Sequence, residues 1–376
     1  MSNKPNIWIM ALEPIETRYT GEWYEHIPAL FKEKLGDKFD VWQVDGVQKN
    51  TELTPGAFLN FSDTNYWKSS QLLNFLQYLN QGIVGPNDHI VYTDAWNPTA
   101  IQLKYMRNLL GHNWTLHGLW HAGSYDPQDF LGRLVGNKPW VRNAEKSMFD
   151  CYDHNYFATE FHVELFMKEL LNNGYTVENP WFHEDWEERY ESGKIVRSGW
   201  PMEYLPTKLA AKGIPKKNQI VFPHRIAPEK QVEIFRDLAK MMPEYEFVVC
   251  QDRKLTKQEY HTILAESKIV FSCSLQETLG IGVPEGALVG ALPLVPHRLS
   301  YKEMYPNWCK YPSEWTEDWQ SYQFYRERLY DKIKYFIENY NGLATNLNTL
   351  NEGLMNNYFS CTAFMDKIRN QNVKED

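Results

Sequence analysis

The chain has 376 residues, enough for two ordinary domains with a substantial core. A hydrophobic content of 43%, a charged content of 23% and a net charge of −9 exclude a disordered chain and a uniformly basic nucleic-acid-binding surface. Five cysteines without a CxxC spacing indicate neither a disulfide framework nor a zinc motif. The apolar run near the N-terminus is too short for a signal peptide. We therefore expect a cytoplasmic globular protein without a resident metal ion and without membrane insertion.

The N-terminal half alternates between apolar strand-like runs and helix-like segments. The runs predict strands at residues 6–12, 39–44, 89–92, 115–119 and 156–158. A polar loop at residues 13–22 follows the first strand. Apolar residues three to five apart then predict a helix from Trp23 to Leu35. This alternation is typical of a parallel sheet covered by helices on both faces.

The same alternation restarts after a Gly- and Pro-rich linker at residues 198–217. It predicts strands at 219–222, 246–250, 268–271 and 291–295, and helices at 229–242, 256–265 and 283–289. We therefore predict an α/β protein with two Rossmann-like domains, residues 1–200 and 201–340, that face each other across a cleft. A helical tail, residues 341–376, is expected to pack back on the first domain. In such folds ligands bind beyond the carboxyl ends of the strands.

The most informative stretch is residues 274–296, SLQETLGIGVPEGALVGALPLVP. Glu277 and Glu285 are eight residues apart, the first in a loop after a predicted strand and the second in the first turns of a helix. Gly280 and Gly282 between them let backbone amides approach an anion closely, and a helix N-terminus favours phosphate. A carboxylate beside that anion can accept hydrogen bonds from the vicinal hydroxyls of a ribose.

This stretch resembles the donor site of retaining GT-B glycosyltransferases of the glycosyltransferase family 4 type. Their signature is an E-x7-E that ends in a helix, followed by Gly, a small residue, Pro and a hydrophobic strand. The matching residues here are Glu277, Gly280, Glu285, Gly290 and Pro293. The resemblance implies that Glu277 contacts the transferred sugar and that Glu285 binds the ribose. It also places Thr278, Leu279 and Gly280 in the donor site.

A second match lies upstream, where Arg225 and Lys230 follow a predicted strand five residues apart. The resemblance implies that this pair holds the diphosphate of the donor. Fixed cations there stabilise the negative charge that the leaving diphosphate gains. By itself the pair is also compatible with a solvated loop. The sequence departs from the family pattern at His224 and Gln231, where the family usually has glycines.

In the resembling family the N-terminal domain binds the acceptor and adds a few catalytic contacts. The loop after the first strand contains Arg18, which we assign to the donor, and Tyr19, which we assign to the acceptor. The segment RYTGEW, residues 18–23, resembles phage-encoded glycosyltransferases, some relatives of which modify hydroxymethylated pyrimidines in DNA.

A second polar patch, residues 116–130, follows a predicted strand and contains His117 and His121. The family often has a histidine here that bonds to the transferred sugar. We choose His121 as the catalytic contact because small residues surround it, while which of the two faces the cleft stays open. Asp94 and Asp126 are candidate acceptor contacts, and helix capping is the alternative role for both.

The resulting prediction is a retaining glycosyltransferase that uses a nucleotide-sugar, with UDP as the expected nucleotide, as co-substrate and needs no cofactor. The expected acceptor is hydroxymethylcytosine DNA, in the host cytoplasm if the protein is phage-encoded, and the alternatives are a glycan, a lipid or a small molecule. A sugar-nucleotide-binding module without activity is a further possibility. So is an NAD(P)-dependent oxidoreductase, because Gly280, Gly282 and Gly286 form GxGxxxG, although Pro284 interrupts it. The oligomeric state is left open.

Overall fold

The computed structural model describes residues 4–16, 18–49, 59–171, 180–209 and 214–370. The chain forms two compact units, one comprising Met1–Pro201 and Ser360–Asp376 and the other Met202–Phe359. The chain passes into the second unit inside the segment that we predicted as a linker, of which residues 210–213 lie outside the described residues. No helix in the described ranges is long and apolar enough to cross a membrane.

The first unit is built on a six-stranded parallel sheet with strand order β2-β1-β3-β4-β5-β6. Its strands are β1 (Asn6–Met10), β2 (Asp40–Val44), β3 (His89–Tyr92), β4 (Thr115–Leu119), β5 (His154–Phe157) and β6 (Ile195–Arg197). The central strands β3, β4 and β5 are short, and all of their residues except Thr115 are buried, as expected where helices cover both faces of a sheet.

Helices connect these strands, because parallel neighbours require a crossover. They are α1 (Tyr19–Leu35), α2 (Phe61–Asn80), α3 (Thr99–Leu110), α4 (Phe130–Val135), α5 (Pro139–Cys151), α6 (Glu160–Phe166) and α7 (Pro180–Glu191). The local sequence determines where several of these helices begin or end. The Asn60 side chain accepts hydrogen bonds from the first backbone N–H groups of α2, and α3 ends at Gly111, whose left-handed backbone suits glycine.

The second unit has a five-stranded parallel sheet with strand order β11-β10-β9-β7-β8. Its strands are β7 (Lys217–Phe222), β8 (Glu246–Val249), β9 (Ser267–Phe271), β10 (Leu292–Pro296) and β11 (Lys310–Tyr311). Its helices are α8 (Leu205–Lys208), α9 (Val232–Met241), α10 (Lys257–Glu266), α11 (Gly282–Leu288), α12 (Tyr301–Met304), α13 (Trp319–Glu338), α14 (Tyr340–Ala344) and α15 (Leu347–Tyr358). The last helix of the chain, α16 (Thr362–Asn370), returns to the first unit, where Phe364 packs on Phe31 and Tyr156.

Each sheet has one point at which the strand order reverses. In the first unit β1 lies between β2 and β3, and in the second β7 lies between β8 and β9. The crossovers on either side of such a point run to opposite faces of the sheet. A crevice is therefore left outside the carboxyl ends of the two strands, which is where ligands bind in open α/β sheets.

The predicted elements differ from the observed ones mainly at their ends. Helix α1 begins at Tyr19 and not at Trp23, and the helix predicted from residue 229 begins at Val232, after a 3-10 turn. Strands β6 and β11 were not predicted, and neither were helices α2 to α6, α8 and α12. The two strands have only three and two residues, too short for a detectable period.

Candidate active site

Two loops of the second unit, after β7 and after β9, are tied together at the point where its strand order reverses. The Leu275 backbone N–H donates to the Glu229 carbonyl at 2.7 Å. Gln231 adopts φ 52°, and its side-chain amide donates to the carbonyls of Cys273 and Thr316 at 2.7 and 2.8 Å. Gln231 thus holds the left-handed conformation that a glycine adopts easily, and its side-chain bonds offset the strain. This explains how the loop tolerates one departure from the family pattern.

The tied loops bring Lys230 and Glu277 into contact. Lys230 Nζ lies 2.7 Å from Oε1 of Glu277 and also donates to the Gln276 carbonyl. Both side chains are largely buried, with 6% and 13% of their surface exposed. Burial by itself raises the pKa of the Glu277 carboxyl, but Lys230 and His224 outweigh it and lower that pKa to about 2. Glu277 is therefore an ionised carboxylate at neutral pH.

Arg225, the other predicted cation, forms an ion pair with Glu229 on the following 3-10 turn. The Glu229 side chain has no exposed surface, whereas 24% of the Arg225 side chain is exposed. The guanidinium therefore compensates a buried carboxylate. Arg225 and Lys230 follow the same strand end, and each is paired with its own glutamate.

Glu277 has a second polar neighbour in His224, one of the residues that depart from the family pattern. His224 Nδ1 lies 3.3 Å from Oε1 of Glu277, and the imidazole is 5% exposed. Burial lowers the pKa of His224, while the neighbouring Glu277 opposes this shift. The ring is therefore neutral at pH 7, with its proton on Nδ1, where it donates to the carboxylate.

Two glycines of the stretch at residues 274–296 allow close contacts near these groups. Gly280 has φ +73°, and a Cβ added to it would lie 3.1 Å from the Tyr301 ring and 3.5 Å from the Glu277 carboxyl carbon. At Gly286 of α11 a Cβ would lie 2.8 Å from Val270 of β9. These glycines let the loop and the helix approach their neighbours closely.

Glu285 lies in the first turn of α11, as predicted, and is partly exposed. The Tyr260 hydroxyl donates to its Oε2 at 2.7 Å. Burial and the Glu285 charge hold the pKa of Tyr260 well above its usual range, so the phenol stays a donor. Leu279 is 1% exposed and Thr278 is 7% exposed, so little of either residue is accessible to a ligand.

In the first unit a polar cluster lies beyond the carboxyl ends of β1 and β3. Lys68 of α2 pairs with Asp94 at 3.2 Å and also donates to the Trp96 carbonyl. The Thr64 hydroxyl donates to Glu13 at 3.0 Å, and burial raises the pKa of this carboxyl. Asp94 also accepts from the Trp96 backbone N–H at 3.0 Å, so it combines an ion pair with local capping.

His121 joins this cluster from the loop after β4. Its Nε2 lies 2.7 Å from the Thr93 carbonyl, which can only accept, so Nε2 carries the proton. Burial lowers the pKa of His121, so the ring is neutral and Nδ1 accepts from the Tyr19 hydroxyl at 2.7 Å. Trp200 packs on the same imidazole at 4.5 Å between ring centroids. Two predicted residues, Tyr19 and His121, are thus hydrogen-bonded partners.

Arg18 is the N-cap residue of α1, with its guanidinium 5.5 Å from the centre of the Tyr19 ring. His117, by contrast, lies within β4 and is 0% exposed, hydrogen-bonded to His89 at 3.0 Å and to Tyr156 at 2.8 Å. Of the two histidines, therefore, only His121 lies in the loop beyond the strand. Asp126 is buried and accepts from the Gln128 backbone N–H at 2.9 Å, a local turn of the kind that the sequence also allowed.

Sequence reasoning missed Lys68, Tyr260 and the contact between His224 and Glu277. Lys68 and Tyr260 are on helices, α2 and α10, where only the fold shows that they reach a strand end. His224 could have been found from its position directly before Arg225, but the sequence analysis interpreted it only as a departure from the family pattern. Among the described residues, no group of three or more His, Cys, Asp or Glu side chains is arranged to hold a metal ion.

Similarity to known proteins is structural. No protein-family model matches the chain, and no curated protein matches it in sequence. Its structure is similar to the catalytic domain of starch synthase IV from Arabidopsis thaliana bound to ADP and acarbose, with TM-score 0.57, 12% identity and 98% of each chain covered. The chain has a GT-B fold.

Two further solved structures share this fold. A UDP-forming α,α-trehalose-phosphate synthase from Burkholderia vietnamiensis has TM-score 0.58 and 11% identity, with 98% of each chain covered. A sucrose-phosphate synthase from Thermosynechococcus elongatus has TM-score 0.59 and 10% identity, over 98% of this chain and 99% of the other. These likenesses confirm the predicted α/β GT-B fold class.

Proposed function

We propose that the protein is a retaining glycosyltransferase that moves a sugar from a nucleoside diphosphate sugar, with UDP as the nucleotide, to an acceptor hydroxyl. The observation that carries this proposal is the buried Lys230–Glu277 pair at the β7/β9 strand ends of a GT-B fold. Gly280 lies against this pair, and Glu285 follows on α11. Cations, a carboxylate and a close backbone are what a diphosphate sugar requires.

Each residue has a separate role in the proposed reaction. Lys230 and Arg225 stabilise the charge that develops on the departing diphosphate. Glu277 accepts a hydrogen bond from a hydroxyl of the transferred sugar, and Glu285 accepts from the ribose. The acceptor hydroxyl attacks the face that the diphosphate leaves, and a diphosphate oxygen takes its proton. In the first unit His121 and Arg18 contact the donor, and Tyr19 and Asp94 contact the acceptor, whereas the buried Asp126 is better explained by its local turn.

A thermal-shift panel followed by a transfer assay tests this proposal. UDP, ADP, GDP and NAD are compared first, because a ligand at about 100 times its Kd stabilises the folded state by about 2.7 kcal/mol. The corresponding sugar nucleotides are then incubated with candidate acceptors and analysed by mass spectrometry, with Glu277→Gln as the control. Stabilisation by NAD alone would contradict the proposal and support the oxidoreductase alternative.

For the acceptor we propose a hydroxymethylated pyrimidine in DNA. The resemblance at residues 18–23 supports it, as does Trp140, which is 68% exposed beside the exposed Lys138. An exposed ring can stack on an extruded base while a lysine binds phosphate. Two other cations of the lysine- and arginine-rich stretch at residues 104–146, Lys104 and Arg107, are engaged within the protein, where both pair with Asp153. We therefore expect few phosphate contacts and a shallow salt dependence.

The acceptor test is a filter-binding and sugar-transfer assay on duplexes with and without hydroxymethylcytosine at two salt concentrations. Trp140→Ala should weaken DNA binding about tenfold, on the scale of one lost stacking contact. Phe324→Ala, at a residue that is 79% exposed in the second unit, serves as the control. Absence of DNA binding at low salt, or transfer only to a glycan, lipid or small molecule, would remove the DNA acceptor and leave the transferase proposal standing.

A further inference from the structure

The two oxygens of the Glu277 carboxylate have different surroundings. Oε1 is approached by Lys230 Nζ at 2.7 Å, by His224 Nδ1 at 3.3 Å and by the Ser274 hydroxyl at 3.5 Å. Oε2 makes no hydrogen bond to any residue in the described part of the chain. One oxygen is thus held by three donors, and the other is available to a ligand.

When a nucleotide binds, the position of Oε1 depends on which of these three donors still contact it. The Lys230 ammonium is the strongest donor, but it is also the group that a diphosphate attracts. Ser274 is at the limit of hydrogen-bonding distance. His224 follows the end of β7, and its ring packs at 5.0 Å from Phe222. A buried imidazole fixed in this way keeps its position whether or not a phosphate is present.

We propose that His224 is a positioning residue that holds Oε1 of Glu277 while Lys230 turns to the diphosphate, so that Oε2 stays directed at the transferred sugar. This role rests on the proposed function and adds to it a residue outside the family pattern. Recognition of the nucleotide and recognition of the sugar then depend on different residues. Contacts to the nucleotide do not need His224, whereas contacts to the sugar do.

The substitutions His224→Leu and His224→Asn distinguish this role from simple packing. Leucine fills a similar volume without a donor, and the asparagine amide can place a donor near the position of Nδ1. The affinities for UDP and UDP-glucose, and for ADP and ADP-glucose, are measured by calorimetry, and the ratio within each pair reports the sugar contact. Melting temperatures of both variants show whether they fold.

For the nucleotide that binds, we expect His224→Leu to reduce the sugar-dependent gain in affinity about tenfold, which corresponds to one hydrogen bond to a charged group. Affinity for the free nucleoside diphosphate should stay within about twofold, and His224→Asn should recover most of the loss. In a Glu277→Gln background His224→Leu should have little further effect, because the two residues act through one contact.

Three results would overturn the proposal. An unchanged sugar-dependent gain in folded His224→Leu would show that Glu277 needs no such anchor. If His224→Leu reduces the sugar-dependent gain in affinity as much in the Glu277→Gln variant as in the wild-type protein, His224 acts independently of Glu277. Failure of the wild-type protein to bind either UDP or ADP would remove the proposed function and this role with it, whereas nucleotide binding without dependence on His224 removes only the role. If His224→Leu does not fold, the sugar-dependent gain in affinity can still be compared between His224→Asn and Glu277→Gln. A normal gain in Glu277→Gln would count against the proposal.

Discussion

Lys230 Nζ and Glu277 Oε1 lie 2.7 Å apart in the second unit, although 47 positions separate the two residues in the chain. The contact is largely buried, so removing one partner leaves the other charge uncompensated. Lys230→Ala should therefore destabilise the protein by about 3 kcal/mol, in addition to slowing sugar transfer about a hundredfold. Urea unfolding and initial-rate measurements test the two effects separately. Lys334→Ala, at an exposed lysine of α13, is the matched control and should leave both unchanged.

The ion pair between Arg225 and the buried Glu229 gives a prediction for a double-mutant cycle. Arg225→Ala should lower the free energy of unfolding by about 3 kcal/mol, because it leaves a buried carboxylate without its cation. Arg225→Ala combined with Glu229→Gln should recover much of that stability but not the affinity for a diphosphate. A double variant that regains full nucleoside diphosphate affinity would exclude Arg225 from the donor site.

The hydrogen bond from Tyr260 to Glu285 links nucleotide affinity to a residue outside the motif. Glu285→Ala should weaken nucleoside diphosphate binding by about 1.5–3 kcal/mol, and Tyr260→Phe by about 1 kcal/mol, because the carboxylate loses the donor that orients it. Calorimetric titration with the nucleotide selected by the thermal-shift panel measures both. Tyr335→Phe, at a residue that is 50% exposed on α13, should change nothing. Unchanged affinity in folded Glu285→Ala would contradict the assignment.

Gly280 and Gly353 give opposite predictions for the same substitution. Gly280→Ala places a Cβ on a backbone with φ +73° and 3.1 Å from the Tyr301 ring, so it should cost about 1–2 kcal/mol of stability or more. It should also reduce the affinity for the nucleotide-sugar relative to that for the free nucleoside diphosphate, because a Cβ on Gly280 would lie 3.5 Å from the Glu277 carboxyl carbon. Gly353 lies inside α15 with nothing within 4 Å of an added Cβ, and Gly353→Ala should stabilise the helix by about 0.5–1 kcal/mol. Unfolding curves of the two variants provide the comparison.

Acid should weaken the first unit through its buried histidines. His89 is 2% exposed, and burial lowers its pKa from 6.5 to about 4. As the pH falls through this window, the unfolded chain takes up a proton that folded His89 does not, so the free energy of unfolding decreases. The loss approaches about 3 kcal/mol per such group. Unfolding between pH 6.5 and 5 measures the slope. His89→Asn should reduce it, because asparagine does not titrate.

The sequence by itself determined the class of fold and most strands of both sheets. Apolar runs such as residues 89–92 and 115–119 coincide with β3 and β4, because buried parallel strands need nothing beyond short hydrophobic segments. The sequence also indicated that the glutamates and glycines of residues 274–296 lie close together, since they follow one another along a single loop and helix. Local order along the chain was sufficient for these features.

Only the tertiary structure decided which charged groups meet. No short-range sequence pattern predicts the contact of Lys68 with Asp94 or that of Tyr260 with Glu285, because these contacts form only where helices pack beside strand ends. The contacts of His224 and Gln231 depend in the same way on neighbours from another loop. A sequence pattern records spacing along the chain, whereas a binding site depends on distances across the sheet, and those are set by strand order.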